Sequence, residues 1–266
     1  MFNQYIWQTI QQEGKRINTP VHKKRALIRE YLQSKIIYYL YQKKSVHKLS
    51  FIGGTSLRIL RGLDRFSEDL DFDNLGLSFN AIKKMFSQIE ADLIKEGIET
   101  KFSLKKTNNS GIGSFKFANL LIELGISSHR DEKLEVKINY TTPKIKPAIE
   151  VLILSRFGLV SAITTNIAEV LLAQKIKAII QRKDIQPRDF YDVIWFLSQN
   201  IMPNLDILKE LNTKQEKIAE EIIEIYRRKL LPQLKSYQAR LRPFLVDEKK
   251  VSYLSMFDKI VENKLK

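Results

Sequence analysis

The most constraining feature is a glycine pair between two unlike segments. Lys48-Leu49-Ser50-Phe51-Ile52 reads as a short strand, stopped by Gly53-Gly54. Thr55-Ser56 then opens a short helix carrying Leu57, Ile59 and Leu60, with Thr55 or Ser56 as its cap and Gly62 suited to its C-terminal end. A second strand follows over Asp69–Asp73, in Ser67-Glu68-Asp69-Leu70-Asp71-Phe72-Asp73. Side chains two apart on a strand share a face, so Asp69 and Asp71 project together. Adjacent like charges are costly unless a cation lies between them. A glycine turn leading into a helix N-terminus offers backbone N–H groups to a phosphate. The two halves together describe a seat for a metal-bound nucleoside triphosphate.

The rest of the chain extends this α/β beginning. Residues 1–20 are mixed and end at Pro20, and Val21–Tyr41 carries apolar residues at helical spacing. Ala81–Gly97 reads as an amphipathic helix. Strand-like segments run over Thr100–Leu104, Ser114–Leu120, Leu134–Tyr140 and Val151–Leu154, with turns at Asn108-Asn109 and Gly111-Ile112-Gly113. Pro143 and Pro147 mark an irregular connector, and from Ile167 the pattern is helical, punctuated by Pro187, Pro203, Pro232 and Pro243. The expected fold class is α/β (α+β): a mixed sheet flanked by helices, then an all-helical C-terminal part. The expected domains are 1–155, with an N-terminal helical extension, and 156–266.

Composition narrows the partners. The 266 residues are 44% hydrophobic, enough for a well-formed core, and contain no cysteine, which removes disulfides, thiolate metal sites and a cysteine nucleophile. There is no apolar run of about 18 residues or more, so no membrane partner is expected. The first residues lack a charged and then apolar leader, and a cytoplasmic location is expected. The net charge of +15 points to a polyanion such as nucleic acid, with a solvated lysine-rich surface as the plainer alternative.

Nucleotidyl transfer needs a gripped triphosphate, one or two Mg²⁺ ions and carboxylates to hold them. Gly53 and Gly54 permit close backbone approach, and Thr55 or Ser56 is placed to donate a hydroxyl to a phosphate. Asp69 and Asp71 are the candidate metal ligands. Glu68 points to the opposite face, and Asp73 shares their face at the strand end. Ion pairing of Asp69 and Asp71 with Arg58 or Arg65 is the structural alternative. Arg65 suits either the strand–loop junction or a phosphate. Lys175 sits among Val170, Leu171, Leu172, Ile176, Ile179 and Ile180, where a lysine is expensive unless its ammonium finds an anion or water. Asp189 and Asp192 are three apart and face one side of a helix. Arg182, Lys183 and Arg188 flank it and suit either RNA or solvent, and His22, His47 and His129 adjoin no carboxylate pattern.

Gly53-Gly54-Thr55-Ser56-Leu57 followed by Arg65-Phe66-Ser67-Glu68-Asp69-Leu70-Asp71-Phe72 resembles the signature of the AbiEii/AbiGii-type nucleotidyltransferase toxins, of the DNA-polymerase-β-like superfamily. A second block, Ala173-Gln174-Lys175-Ile176-Lys177-Ala178, Arg182 and Pro187-Arg188-Asp189-Phe190-Tyr191-Asp192, resembles the family's lysine-then-R-D-x-Y-D helix pair. The resemblance implies that Asp69 and Asp71 bind metal, that Lys175 contacts the triphosphate and that Asp189 is a further active-site carboxylate. It also places Ser67 beside the metal site, at the position where family members are silenced by modification. One departure stands out. The superfamily carries a third acidic residue on a later strand, where relatives read K-V-E-I-N-Y, whereas this chain reads Leu134-Glu135-Val136-Lys137-Ile138-Asn139-Tyr140. Either Glu135 serves as a metal ligand from a shifted position, or the third carboxylate is missing.

The expected function is therefore Mg²⁺-dependent transfer of a nucleotide from an NTP to an acceptor hydroxyl, with tRNA the leading acceptor because of the basic charge. The resemblance implies a toxin–antitoxin or phage-defence setting and a cognate antitoxin with a winged-helix domain. The alternatives are transfer to a protein or small-molecule hydroxyl, and a non-catalytic basic nucleic-acid-binding module.

Overall fold

The computed structural model describes residues 4–129, 132–211 and 215–265. The chain divides into a first unit of Met1–Gly62, Phe66–Lys144 and Glu150–Thr165, and a second of Leu63–Arg65, Ile145–Ile149 and Asn166–Lys266. The first holds helices α1 (Gln4–Arg16), α2 (Lys24–Tyr41), α3 (Gly53–Arg61), α4 (Phe79–Lys95) and α5 (Leu120–Glu123). Its strands are β1 (Leu49–Ile52), β2 (Asp69–Asn74), β3 (Lys101–Thr107), β4 (Ser110–Phe117) and β5 (Leu134–Thr141), with β6 (Ile149–Arg156) and β7 (Leu159–Asn166) closing it. The second is helical: α6 (Ala168–Gln181), α7 (Pro187–Ser198), α8 (Leu205–Leu208), α9 (Gln215–Ile225), α10 (Leu234–Leu241) and α11 (Phe257–Leu265). No helix among the described residues is long and apolar enough to cross a membrane.

The strands form one mixed sheet in the order β3-β4-β5-β2-β1-β7-β6. β2 runs antiparallel to β1 and parallel to β5, and β1 runs parallel to β7. Alternation divides the sheet into two faces. Phe51, Leu70, Phe72, Phe115, Val136 and Ile138 form the apolar face and are at most 1% exposed. Phe86 of α4 lies on it, with ring centroids 6.1 Å from Phe72 and 5.6 Å from Phe102. Burying each such ring stabilises the fold by roughly 1.5–3 kcal/mol. Because every apolar residue of β2 is committed to this face, the carboxylates must occupy the other. In the helical unit, Phe190, Tyr226 and Phe257 pack as a ring cluster, with Phe190 and Phe257 centroids 4.9 Å apart.

Four sequence expectations change. Gly111-Ile112-Gly113 is no turn; the reversal is at Asn108-Asn109, and both glycines lie inside β4. They are needed there for room: a Cβ on Gly111 would stand 2.3 Å from the Tyr140 ring, and one on Gly113 2.3 Å from the Ser103 carbonyl oxygen. Leu120 opens α5 rather than ending a strand. The segment Leu159–Asn166 is a full strand, returned by a turn at Phe157-Gly158 with φ of +56° and +75°. Such a turn matches strand twist but usually announces itself with Asn-Gly, and Phe157 hides it. Finally, α3 begins at Gly53, and neither Thr55 nor Ser56 caps it, whereas Gly62 ends it in the left-handed conformation as expected.

Candidate active site

Strand register shows what stands beside each carboxylate. Asp69, Asp71 and Asp73 are aligned with Lys137, Asn139 and Thr141 of β5, and Asp71 and Asp73 with Ile52 and Ser50 of β1. Asp69 and Asp71 are half-buried, and Asp73 is 3% exposed. The Asn139 amide donates to Asp71 Oδ1 at 3.0 Å and so orients that carboxylate. Its other oxygen, Oδ2, lies against the glycine turn: a Cβ on Gly53 would meet it at 2.4 Å. The phosphate-type turn and the Asp-x-Asp strand are therefore in contact. Glu68 faces away and accepts from Arg29 at 2.8 Å, consistent with its structural reading.

The two hydroxyls of the turn serve the fold. Thr55 Oγ1 donates to the Asp69 carbonyl and fastens α3 to β2. Thr165 donates its one hydroxyl proton to the Phe51 carbonyl at 2.6 Å, so Ser56 is the donor in its 3.2 Å contact with Thr165 Oγ1. Both residues are at most 1% exposed. What the turn offers an anion is thus its backbone: the first N–H groups of a helix have no intrahelical acceptor. Gly53 has φ +77°, a conformation that costs a side-chain-bearing residue about 1–2 kcal/mol. Gly53→Ala is expected to destabilise the fold by about 1–3 kcal/mol. It should lower activity about 100-fold by displacing Asp71, since a displacement of about 1 Å at a reacting site has that effect. Thermal unfolding and initial rates on the purified variant check both.

Glu135 is on the same face as Lys137 and Asn139 but one rung beyond Asp69, opposite Lys116, whose Nζ is 3.9 Å away. The residue in register with Asp69 is Lys137. Among the described residues no three His, Cys, Asp or Glu side chains gather as a metal cluster. The residues that could hold a cation here are thus two carboxylates on one strand face. That suits Mg²⁺, which is commonly held by one or two carboxylates and completed by substrate phosphates. Ser67 precedes this strand half-buried, its carbonyl accepting from Gln33 at 3.2 Å.

The second sequence block comes together within the helical unit. Lys175 of α6 finds the anions its apolar surroundings require: Asp189 at 3.0 Å and Asp192 at 2.8 Å, both from α7. Arg182 also pairs with Asp189. Arg65 makes two 2.7 Å bonds to Asp192, with side chains 2% and 0% exposed. Arg65 is thereby the buried partner of Asp192, and Arg58 in the first unit donates to Glu30 at 3.0 Å. Helical spacing put Asp189 and Asp192 on one side, but no sequence signal linked Arg65 to Asp192.

Burial alone would push the Asp192 carboxyl up, yet the adjoining Arg65 and Lys175 charges hold it below the usual range. Burial likewise opposes the Lys175 ammonium, and Asp192 and Asp189 raise it above its usual value. The signs set the pH response. A lowered carboxyl contributes stability that is complete above its unfolded value of about 3.9 and is lost as pH falls through the folded value. A raised ammonium contributes stability that is complete below about 10.4 and is lost as pH rises through its folded value. This network should be insensitive to pH between about 5 and 10 and weaken on either side. Melting curves from pH 3 to 11 check this: Asp192→Asn should show a shallower acid limb than the parent chain.

Comparison with known proteins bears on this geometry. The family model described as "Nucleotidyl transferase AbiEii toxin, Type IV TA system" matches residues 35–263. The structure of JHP933 from Helicobacter pylori is similar at a TM-score of 0.52 and 19% identity, covering 90% of this chain and 93% of that one. A second H. pylori structure, described as a proposed nucleotidyltransferase, gives 0.52 and 18%, covering 90% and 96%. These likenesses show the shared fold. No match was found among curated proteins.

Proposed function

This chain belongs to the AbiEii nucleotidyltransferase toxin family of type IV toxin–antitoxin systems, and on that premise we propose that it transfers a nucleotide from an NTP to a hydroxyl of tRNA, releasing pyrophosphate. The observation that carries the reading is the contact between the Gly53 turn and the Asp71 carboxylate, beside Asp69 on one strand face. In this reading Asp69 and Asp71 hold Mg²⁺, which when bound neutralises developing charge on the phosphates. The backbone of Gly53 and Gly54 seats the triphosphate, and Asn139 keeps Asp71 turned toward the turn. The partner is a cognate antitoxin, and the family resemblance supports a winged-helix domain in it.

Lys175 and Asp189 are candidates of a different standing. Two carboxylates already neutralise the Lys175 ammonium within the helical unit, which supports a framework role there. Lys175→Met separates the readings. A framework lysine lowers the melting temperature with the NTP KM unchanged. A triphosphate contact raises KM as well.

The test of the whole reading is transfer of label from each of four α-³²P-NTPs, with Mg²⁺, into total bacterial tRNA. Label with the parent chain and none with Asp69→Ala supports the function and identifies the nucleotide. No label in tRNA with any NTP overturns the tRNA assignment.

A further inference from the structure

The sheet face that carries Asp69 and Asp71 continues outward across β5, β4 and β3, and its composition there is strongly biased. The register aligns Lys101 with Lys116 and Glu135, and Ser103 with Ser114 and Lys137. It aligns Lys105 with Ile112 and Asn139, and Thr107 with Ser110 and Thr141. The ionisable side chains on this stretch are thus Lys101, Lys105, Lys116 and Lys137, against the single carboxylate of Glu135. All four lysines are exposed. Between them stand short hydroxyl side chains, Asn139 and the exposed Ile112. The lane ends at Lys137, in register with Asp69.

We propose that this lane is the acceptor track: the phosphodiester backbone of an RNA lies across β3–β4–β5 on Lys101, Lys105, Lys116 and Lys137, with its reacting hydroxyl delivered at Asp69 and Asp71. The inference rests on the reading of this face as a nucleotidyltransferase site. Two observations favour it over the plainer explanation that lysines guard an open sheet edge. Only β3 is at the edge, whereas Lys116 and Lys137 are on interior strands where no edge needs guarding. The charge is also directional. With strands about 4.8 Å apart, Lys101 and Lys105 are three strand spacings, about 14 Å, from β2, so the lane spans several nucleotides and terminates at the carboxylates. The lysine in register with Asp69 takes a place next to the metal face and presents a cation to an incoming phosphate, which a carboxylate there would repel.

The experiment is equilibrium binding of fluorescein-labelled bulk tRNA to the full chain, by anisotropy over a salt series, for the parent, Lys101→Gln/Lys105→Gln and Lys106→Gln. Lys106 is exposed on the same strand but alternates to the opposite face, aligned with Gly111. The double variant should bind on the order of tenfold more weakly at low salt. Its slope of log K against log salt should fall by about 1.4–1.8, as expected for two lost phosphate contacts. Lys106→Gln should match the parent. A double variant within twofold of Lys106→Gln, or a parent that binds no tRNA, overturns the lane. Label transfer on the same samples separates the two readings. Binding lost at Lys101 and Lys105 without any label transfer leaves the lane standing as an RNA-binding surface and removes the reading of tRNA as acceptor. Label transfer with equal binding by all three proteins does the reverse.

Discussion

Asp69→Asn and Asp71→Asn are each expected to lower nucleotidyl transfer by about 10³-fold or more, equivalent to about 4 kcal/mol of transition-state stabilisation. The two carboxylates are the donors that β2 presents together on the exposed part of its face, and no cluster of three His, Cys, Asp or Glu stands among the described residues to take over. Asparagine keeps the shape and removes the charge, so the proposed cation would lose its attraction while the strand keeps its register. At these half-buried positions the change in stability should be within about 0.5 kcal/mol, or about 2 °C. Large loss of rate with an unmoved melting temperature is the signature of a functional carboxylate. Retention of more than a tenth of the parent rate by either variant would sink the metal assignment, and a large fall in melting temperature would return both residues to a structural role.

The second large effect is on stability. Asp192→Ala is expected to cost about 3–5 kcal/mol, because the Arg65 guanidinium stays buried without its two 2.7 Å bonds. The melting temperature of the transition involving the helical unit should fall by roughly 10 °C. Asp189→Ala should cost less, although Asp189 is itself only 3% exposed. The difference lies in the partners: the Arg182 side chain is 49% exposed and can turn toward water, and Lys175 keeps Asp192 at 2.8 Å. Thermal unfolding of the two variants side by side decides it. Equal losses would mean that solvent access of the partner does not set the cost, and the buried Arg65–Asp192 pair would lose its special standing.

Local rules carried much of the first unit. Alternation alone placed Asp69 and Asp71 on one face of β2 and Glu68 on the other, because a side-chain period of two needs no knowledge of neighbours. Glycine chemistry located the strand–helix junction at Gly53 and the helix end at Gly62. The same reasoning misjudged Gly111 and Gly113, since a glycine that makes room for the Tyr140 ring is spelled like a glycine that makes a turn. Leu159–Asn166 is hidden from such rules, because its parallel partner β1 is distant in the chain and its turn has no Asn-Gly signature.

The sequence by itself thus determined the fold class, the Asp-x-Asp face and the glycine turn, all of which follow from spacing within a few residues. Only tertiary structure decided who stands beside them. That Lys137 rather than Glu135 aligns with Asp69, that Asn139 orients Asp71, that Thr55 and Ser56 spend their hydroxyls on the backbone and on Thr165, and that Arg65 belongs to Asp192 are all consequences of pairing between segments far apart in the chain. Register is set by burying one face of the whole sheet at once, and helix partners by filling one common core. Neither quantity is a property of any local window, because a slip of one residue in a strand exchanges its two faces entirely.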